Sequence, residues 1–131
     1  MTTDPIGDLI NRLKNGGAVK KQTISVPFSA FKLAVVEKLK DAGYVQAVDK
    51  KGKKVHKTLE VVLKYDGAGK HVIVGARRVS KPGRRMYRSV GEIRSVRYGH
   101  GSLVLSTPKG ILTDKEARNE KVGGEALFEI W

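Results

Sequence analysis

Leu39 to Tyr65 read LKDAGYVQAVDKKGKKVHKTLEVVLKY, and the hydrophobic period changes within this stretch. Up to Gly43 the apolar residues recur every three or four positions, with Phe31, Val35, Leu39 and Ala42 forming one stripe of a helix. Beyond it they alternate: Leu59, Val61, Leu63 and Tyr65 are separated by Glu60, Val62 and Lys64, the pattern of a half-buried strand. Gly43-Tyr44 at the change predicts a Schellman ending in which Tyr44 folds back towards Leu39. Tyr44 to Val48 supplies a partner strand, and the glycine-containing basic turn Lys50 to Lys54 closes a hairpin.

Towards the N-terminus, Ser29 is placed to cap this helix, with Phe28 before it as a staple against Leu33. Thr23 to Pro27 is a strand-like run. Asp4-Pro5 starts an earlier helix, Ile6, Leu9, Ile10 and Leu13 give its buried face, and Gly16-Gly17 is expected to end it. Towards the C-terminus, Asp66-Gly67-Ala68-Gly69-Lys70 is short, glycine-rich and without large apolar content, and marks the expected boundary. Strands are expected at His71 to Val74, Ala76 to Val79, Arg85 to Arg88, Ser102 to Thr107 and Glu125 to Trp131. Thr113 with Glu116 forms a capping-box pattern before a short helix over Lys115 to Lys121. The fold class is therefore α+β in two small lobes. Residues 1–66 form a helix-strand-helix-hairpin lobe, and residues 67–131 a mainly antiparallel β lobe with one short helix.

At 131 residues the chain is too short for a barrel enzyme or a doubly wound nucleotide fold with a substrate domain. Its 26 Lys and Arg against 13 Asp and Glu leave a net charge of +13, which points to a polyanionic partner. That excess is localised. Residues 50–57 hold five lysines and no acid, and residues 70–97 hold nine basic residues against Glu92 alone, a net of +8. The remainder of the chain balances. Without cysteine, disulfide scaffolds, zinc ribbons and thiol catalysis are excluded. No apolar run approaches the ~18 residues of a membrane span, so a soluble intracellular protein is expected, with no membrane partner.

Signals of catalysis are weak. Gly67-Ala68-Gly69-Lys70 fails the phosphate-loop pattern, which needs glycine at Lys64 and Ser or Thr at His71. His56, His71 and His100 lie away from any metal-ligand spacing. Asp114 and Glu116 are explained by helix capping, and Ser106 lacks the flanking glycines of a nucleophile elbow. A small metal- or His-dependent ribonuclease or RNA-modifying enzyme, using His100 with Asp114 or Glu116, is the alternative from another class. The expectation is no enzyme, no cofactor, no metal and no small-molecule substrate.

The basic segments divide into two kinds. Lys50 to Lys57 is either a solvated hairpin tip or an electrostatic contact. Residues 77–97 favour arginine, whose planar fork suits phosphate and stacks on bases, with Tyr87 and Tyr98 interleaved as stacking surfaces or as core residues. Ser106-Thr107-Pro108-Lys109-Gly110 joins hydroxyls, a rigid proline, a cation and a bare backbone, and Gly123-Gly124-Glu125 pairs two glycines with an acceptor. Such groups bond to 2′-hydroxyls and base edges; a tight hairpin turn is the competing explanation.

Taken in order, Thr3-Asp4-Pro5-Ile6 with Arg12 and Asn15, Arg78-Val79-Ser80-Lys81-Pro82-Gly83, Ser106 to Gly110, Thr113 to Arg118, and Gly123-Gly124-Glu125 near Trp131 resemble the bacterial type of small-subunit ribosomal protein eight, over essentially the whole chain. The resemblance implies a structural ribosomal protein that binds the central domain of 16S rRNA early in subunit assembly. It further implies possible repression of its own operon mRNA, neighbouring small-subunit proteins as partners, a monomer when free, and a location on a cytoplasmic or organellar ribosome. Carried over, the main recognition loop is Ser106, Thr107, Lys109 and Gly110, supported by Gly123, Gly124 and Glu125. Tyr87 with Lys81, Pro82 and Arg85 lies beside it, and Thr3, Asp4, Pro5, Arg12 and Asn15 bring in the first lobe. Pro108 stands where a third hydroxyl is common, His100 where Leu is usual, Arg84 where an apolar residue is usual, and Phe128 where Cys is frequent.

Overall fold

The computed structural model describes residues 4–52 and 57–131; Thr3 and, within the basic turn, Lys53, Lys54 and His56 lie outside them. The chain forms two compact units, one of residues 5–73 and the other of residues 74–131 together with Asp4.

In the first unit, helix α1 (Pro5–Ala18), strand β1 (Thr23–Pro27), helix α2 (Ala30–Asp41) and strands β2 (Val45–Lys51) and β3 (Thr58–Leu63) build a three-stranded antiparallel sheet in the order β1-β3-β2. The Ser29 hydroxyl accepts from Lys32 N at 3.0 Å, so the expected cap is in place. The Schellman ending is also present: Gly43 has φ +90°, and Tyr44 N donates to Leu39 O at 2.8 Å. The buried face of α2 is rotated from the expected stripe, however, to Lys32, Val35, Val36 and Leu39, leaving Phe31 exposed. Burial holds the Lys32 ammonium below its usual range, partly offset by the Asp8 carboxylate.

Gly16-Gly17 does not end α1. Both residues are buried within it, because a methyl on Gly16 would lie 2.6 Å from Ile24 and one on Gly17 would enter the His71 ring. Here glycine serves close packing, and the turn is made further on, where Lys20 takes φ +58° and Lys21 N donates to Gly16 O. Asp66 to Lys70, the expected boundary, closes inside this unit. The Asp66 carboxylate accepts from Ala68 N and Lys70 N, both at 2.9 Å, and Tyr65 bridges His71, so the division falls after Ile73. These amides, Lys70's above all, hold the Asp66 carboxyl below its usual range.

His71 packs its ring 5.4 Å from that of Tyr65, and its Nε2 is buried without a partner among the described residues. Burial lowers its pKa, so as pH falls the unfolded chain takes up the proton first. Stability is therefore complete above the ordinary imidazole value near 6.5 and declines as pH drops through it. Melting curves between about pH 7.5 and about pH 5.5 should show a smaller loss in His71→Phe than in the parent chain. Equal losses would assign the acid sensitivity to other groups.

In the second unit, strands β4 (Ala76–Arg78), β5 (Tyr87–Arg88), β6 (Ser102–Thr107), β7 (Gly110–Thr113) and β8 (Gly124–Ile130) form one antiparallel sheet. Strand β8 is its centre, with β6 along one edge and β4 and β5 sharing the other. Strand β7, not expected as a separate element, is the second arm of the hairpin begun by β6. His71 to Val74, expected as a strand, instead carries a bridge at His71 and single bonds from Val72 N to Lys64 O and from Val74 N to Trp131 O. Helix α3 (Asp114–Glu120) starts with the expected capping box, Thr113 Oγ1 accepting from Glu116 N while the Glu116 carboxylate accepts from Thr113 N. Ile93, Val96, Leu103, Leu105, Ala117 and Ala126 pack as one buried cluster that joins α3 to the sheet. Among the described residues no helix is long and apolar enough to cross a membrane.

Candidate nucleic-acid interface

The tip of the β6–β7 hairpin is a two-residue turn, Pro108-Lys109, between the paired Thr107 and Gly110. Gly110 has φ +106°, a conformation glycine adopts without strain, and the space around it is open. The Thr107 hydroxyl is consumed in the turn, donating to Gly110 O at 2.8 Å and accepting from Lys109 N at 3.1 Å. Lys109 Nζ pairs with Glu120 at 3.0 Å in solvent. The hydroxyl of Ser106, half-buried, has no hydrogen-bond partner among the described residues and is available to a ligand. The hairpin-turn reading and the recognition-loop reading are thus compatible: Thr107 builds the turn and Ser106 stands beside it.

Register extends the site across the sheet. Tyr87 on β5 pairs with Glu125 on β8, which pairs with Ser106 on β6. Directly opposed residues of antiparallel strands project to the same face, so these three side chains form one cross-strand row. Their neighbours in sequence, Leu105 and Ala126, are buried on the other face. Tyr87 is 65% exposed.

Glu125 is held in place by a network whose inner member was not among the expected site residues. The hydroxyl of Ser80, 3% exposed, donates to Glu125 Oε2 at 2.5 Å and accepts from Met86 N at 3.1 Å. Arg85 reaches the same carboxylate oxygen at 3.2 Å. Arg78 donates to Ser80 O at 2.8 Å and pairs with Asp4. Ser80 and Arg78 both stand in the stretch Arg78 to Gly83 that was singled out in the sequence, but nothing local distinguishes a buried serine there from an exposed one. Lys81 and Arg84 exchange backbone bonds around Pro82-Gly83, which leaves the Lys81 side chain exposed at a tight turn. Glu92, the lone acid of residues 70–97, is engaged by the backbone and hydroxyl of Ser89, which hold its carboxyl below the usual range.

Gly123 and Gly124 serve the protein's own backbone. A methyl on Gly123 would lie 2.3 Å from Arg88 O, and one on Gly124 would lie 2.1 Å from Ser106 O. In the first unit, Arg12 is exposed and links Asp8, at 3.0 Å, with Ser25 O, at 2.8 Å, while Pro5 and Asn15 are exposed on α1.

The carboxylates considered for catalysis are occupied structurally. Asp114, buried, accepts from Leu103 N and pairs with Arg118, both at 3.1 Å, while Glu116 closes the capping box. No group of three or more His, Asp or Glu with metal-binding geometry occurs among the described residues.

Against known proteins, the family model for ribosomal protein S8 matches residues 4–131. The chain belongs to the ribosomal protein S8 family. The small ribosomal subunit protein uS8 of Mycoplasmopsis synoviae is 48% identical over 130 residues, covering 98% of each chain. The uS8 proteins of Mycoplasmopsis agalactiae and Exiguobacterium sibiricum are 44% and 43% identical over 129 residues, again covering 98% of each. The resemblance seen in the sequence motifs is therefore family membership, and the α+β architecture with antiparallel sheets agrees with it.

Proposed function

We propose that the chain is a structural protein of the small ribosomal subunit that binds the central domain of 16S rRNA, without catalysis, through the row Tyr87, Glu125 and Ser106. The observation that carries this reading is the row itself: an exposed aromatic, a fixed acceptor and an unengaged hydroxyl aligned across three strands. Arg85, Lys81 and Pro82 flank it, with Lys109 and Gly110 at the hairpin tip. The basic stretches draw RNA in, and the row and hairpin choose the stem by 2′-hydroxyls and base edges. Pro5, Arg12 and Asn15 of the first unit belong to the same reading, as do Thr3 and Asp4 that precede them. Engagement of Asp114 by Leu103 N and Arg118, and of Glu116 in the capping box, supports a binder over a ribonuclease. The family's identity supports a location on a ribosome of bacterial type, neighbouring ribosomal proteins as partners, and repression of the chain's own operon mRNA where that transcript carries a mimic of the stem.

Gel shifts against a central-domain stem and a generic duplex test it. Ser106→Ala should bind the stem about tenfold more weakly, the worth of one or two hydrogen bonds, with the duplex affected less than about twofold. Equal losses on the two RNAs would remove Ser106 from recognition. Turnover of labelled RNA by the pure protein would overturn the non-enzymatic reading.

A further inference from the structure

Tyr98 is not accounted for by that site. It is 99% exposed, the most exposed large hydrophobic side chain among the described residues, and so contributes nothing to the core. Its backbone is left-handed, with φ +57°, and so is that of Arg97, with φ +47°, before Gly99 at φ +90°. Two successive non-glycine residues in this region are costly, and such strain persists where the surroundings impose it, often at functional positions. Here the surroundings are firm. Ile93 and Val96 are buried in the core cluster, Gly99 N and Gly101 N both donate to Val96 O at 3.0 Å, and Val96 bridges Gly101. The turn is pinned from inside while its aromatic ring is held in solvent.

Around Tyr98 lies an open recess of about 550 Å³, lined also by Ile93, Arg94, Ser95, Arg97 and Arg118. Ile93, its one aliphatic member, is itself buried, so the exposed lining is guanidinium, hydroxyl and phenol. Arg94 makes no ion pair with any described residue. The Arg97 guanidinium lies 4.0 Å from the centre of the Trp131 ring, which orients it without neutralising it. Arg118 is shared with Asp114, and beside the recess Arg77 is paired with Glu129. Two cations thus remain uncompensated next to an unpacked aromatic face, the combination that binds single-stranded nucleic acid. Tyr and Arg also anchor protein interfaces, but with Ile93 buried the recess has no exposed aliphatic side chain around the ring, and its unpaired positive charge favours a polyanion.

Position separates this recess from the Ser106 row. Strand β6 runs from Ser102, which follows the Tyr98 turn, to Thr107 at the hairpin tip, a span of about 17 Å, so the two sites stand at opposite ends of the strand. We propose that the Tyr98 recess is a second RNA-contact surface that takes an unpaired nucleotide, its base stacked on Tyr98 and its flanking phosphates on Arg94 and Arg97.

The test uses the full chain and two probes, a fluorescein-labelled oligouridylate single strand and the central-domain stem, read by anisotropy. Tyr98→Asn should bind the single strand about tenfold more weakly, the loss of one base stack, while Tyr98→Phe, which keeps the ring, stays within about twofold. Both should bind the stem as the parent does. Asn accepts the left-handed region, so Tyr98→Asn should melt no lower than the parent, which separates lost binding from lost folding. Single-strand affinity unchanged in Tyr98→Asn would overturn the proposal. So would binding of an oligoglutamate peptide that falls equally in Arg94→Ala and Tyr98→Asn, since the recess would then be an acidic-protein site. Ser106→Ala provides the cross-check: loss on the stem with the single strand retained supports two sites, whereas no loss on the stem removes the Ser106 reading and leaves this one standing.

Discussion

Leu105→Ala should lower the stability of the chain by about 3 kcal/mol, although it lies one residue from a side chain whose removal should leave stability almost unchanged. Leu105 is completely buried, packed with Ile93, Val96, Leu103, Ala117 and Ala126. Truncation forfeits the transfer free energy of the lost methyl groups and leaves a cavity bordered by sheet and helix, which limits collapse. Ser106 faces the other way and loses only an unengaged hydroxyl, so Ser106→Ala should change stability by less than about 0.5 kcal/mol. Urea unfolding of both variants, paired with stem binding at low denaturant, gives a crossed outcome: one loses stability, the other affinity. A loss below about 1 kcal/mol for Leu105→Ala would mean that α3 and the sheet close the cavity.

Gly124→Ala should cost about 3 kcal/mol and abolish recognition of the stem together with stability. The added methyl would meet Ser106 O at 2.1 Å, and Thr107 Cα stands 3.1 Å away. These are backbone atoms of the adjacent strand, so no rotamer change relieves the overlap; β6 and β8 must separate where Ser106 and Glu125 pair. The row across β5, β8 and β6 would then lose its alignment even in molecules that remain folded. Gly110→Ala is the control: it has open space but φ +106°, so its cost is a conformational one of about 1 kcal/mol at the hairpin tip. Chemical denaturation ranks the two, and amide exchange of β6 and β8 locates the damage. Native-like exchange protection along both strands in Gly124→Ala would refute the claim that this glycine sets their approach.

Much of the fold was legible because its signals are local. The change of period after Gly43, the Ser29 cap, the Thr113–Glu116 box and the Gly43 ending each depend on residues within a few positions, and each is present. Misreadings arose where one residue type serves two purposes. Gly16-Gly17 looks like a helix stop, yet the helix continues because Ile24 and His71, distant in sequence, need the space. The buried stripe of α2 includes Val36 and Lys32, whose aliphatic stem can be covered as an apolar side chain is, and leaves Phe31 exposed. Of the candidate site, the residue types of the hairpin and of Gly123 to Glu125 were visible in the motifs. The network that fixes Glu125 was not, since Ser80 and Arg85 reach it across 45 and 40 positions.

The sequence by itself determined the α+β class, the caps, the localised positive charge and the family. These rest on composition and on interactions between near neighbours, which hold in any arrangement of the elements. Tertiary structure alone decided strand register, and register is what aligns Tyr87, Glu125 and Ser106 and puts Tyr98 at the other end of β6. The reason is physical. A strand's side chains change faces at every residue, so a slip of one position would bury Ser106 and expose Leu105, and only the packing of the whole sheet against Ile93, Val96 and Ala117 makes that slip too costly.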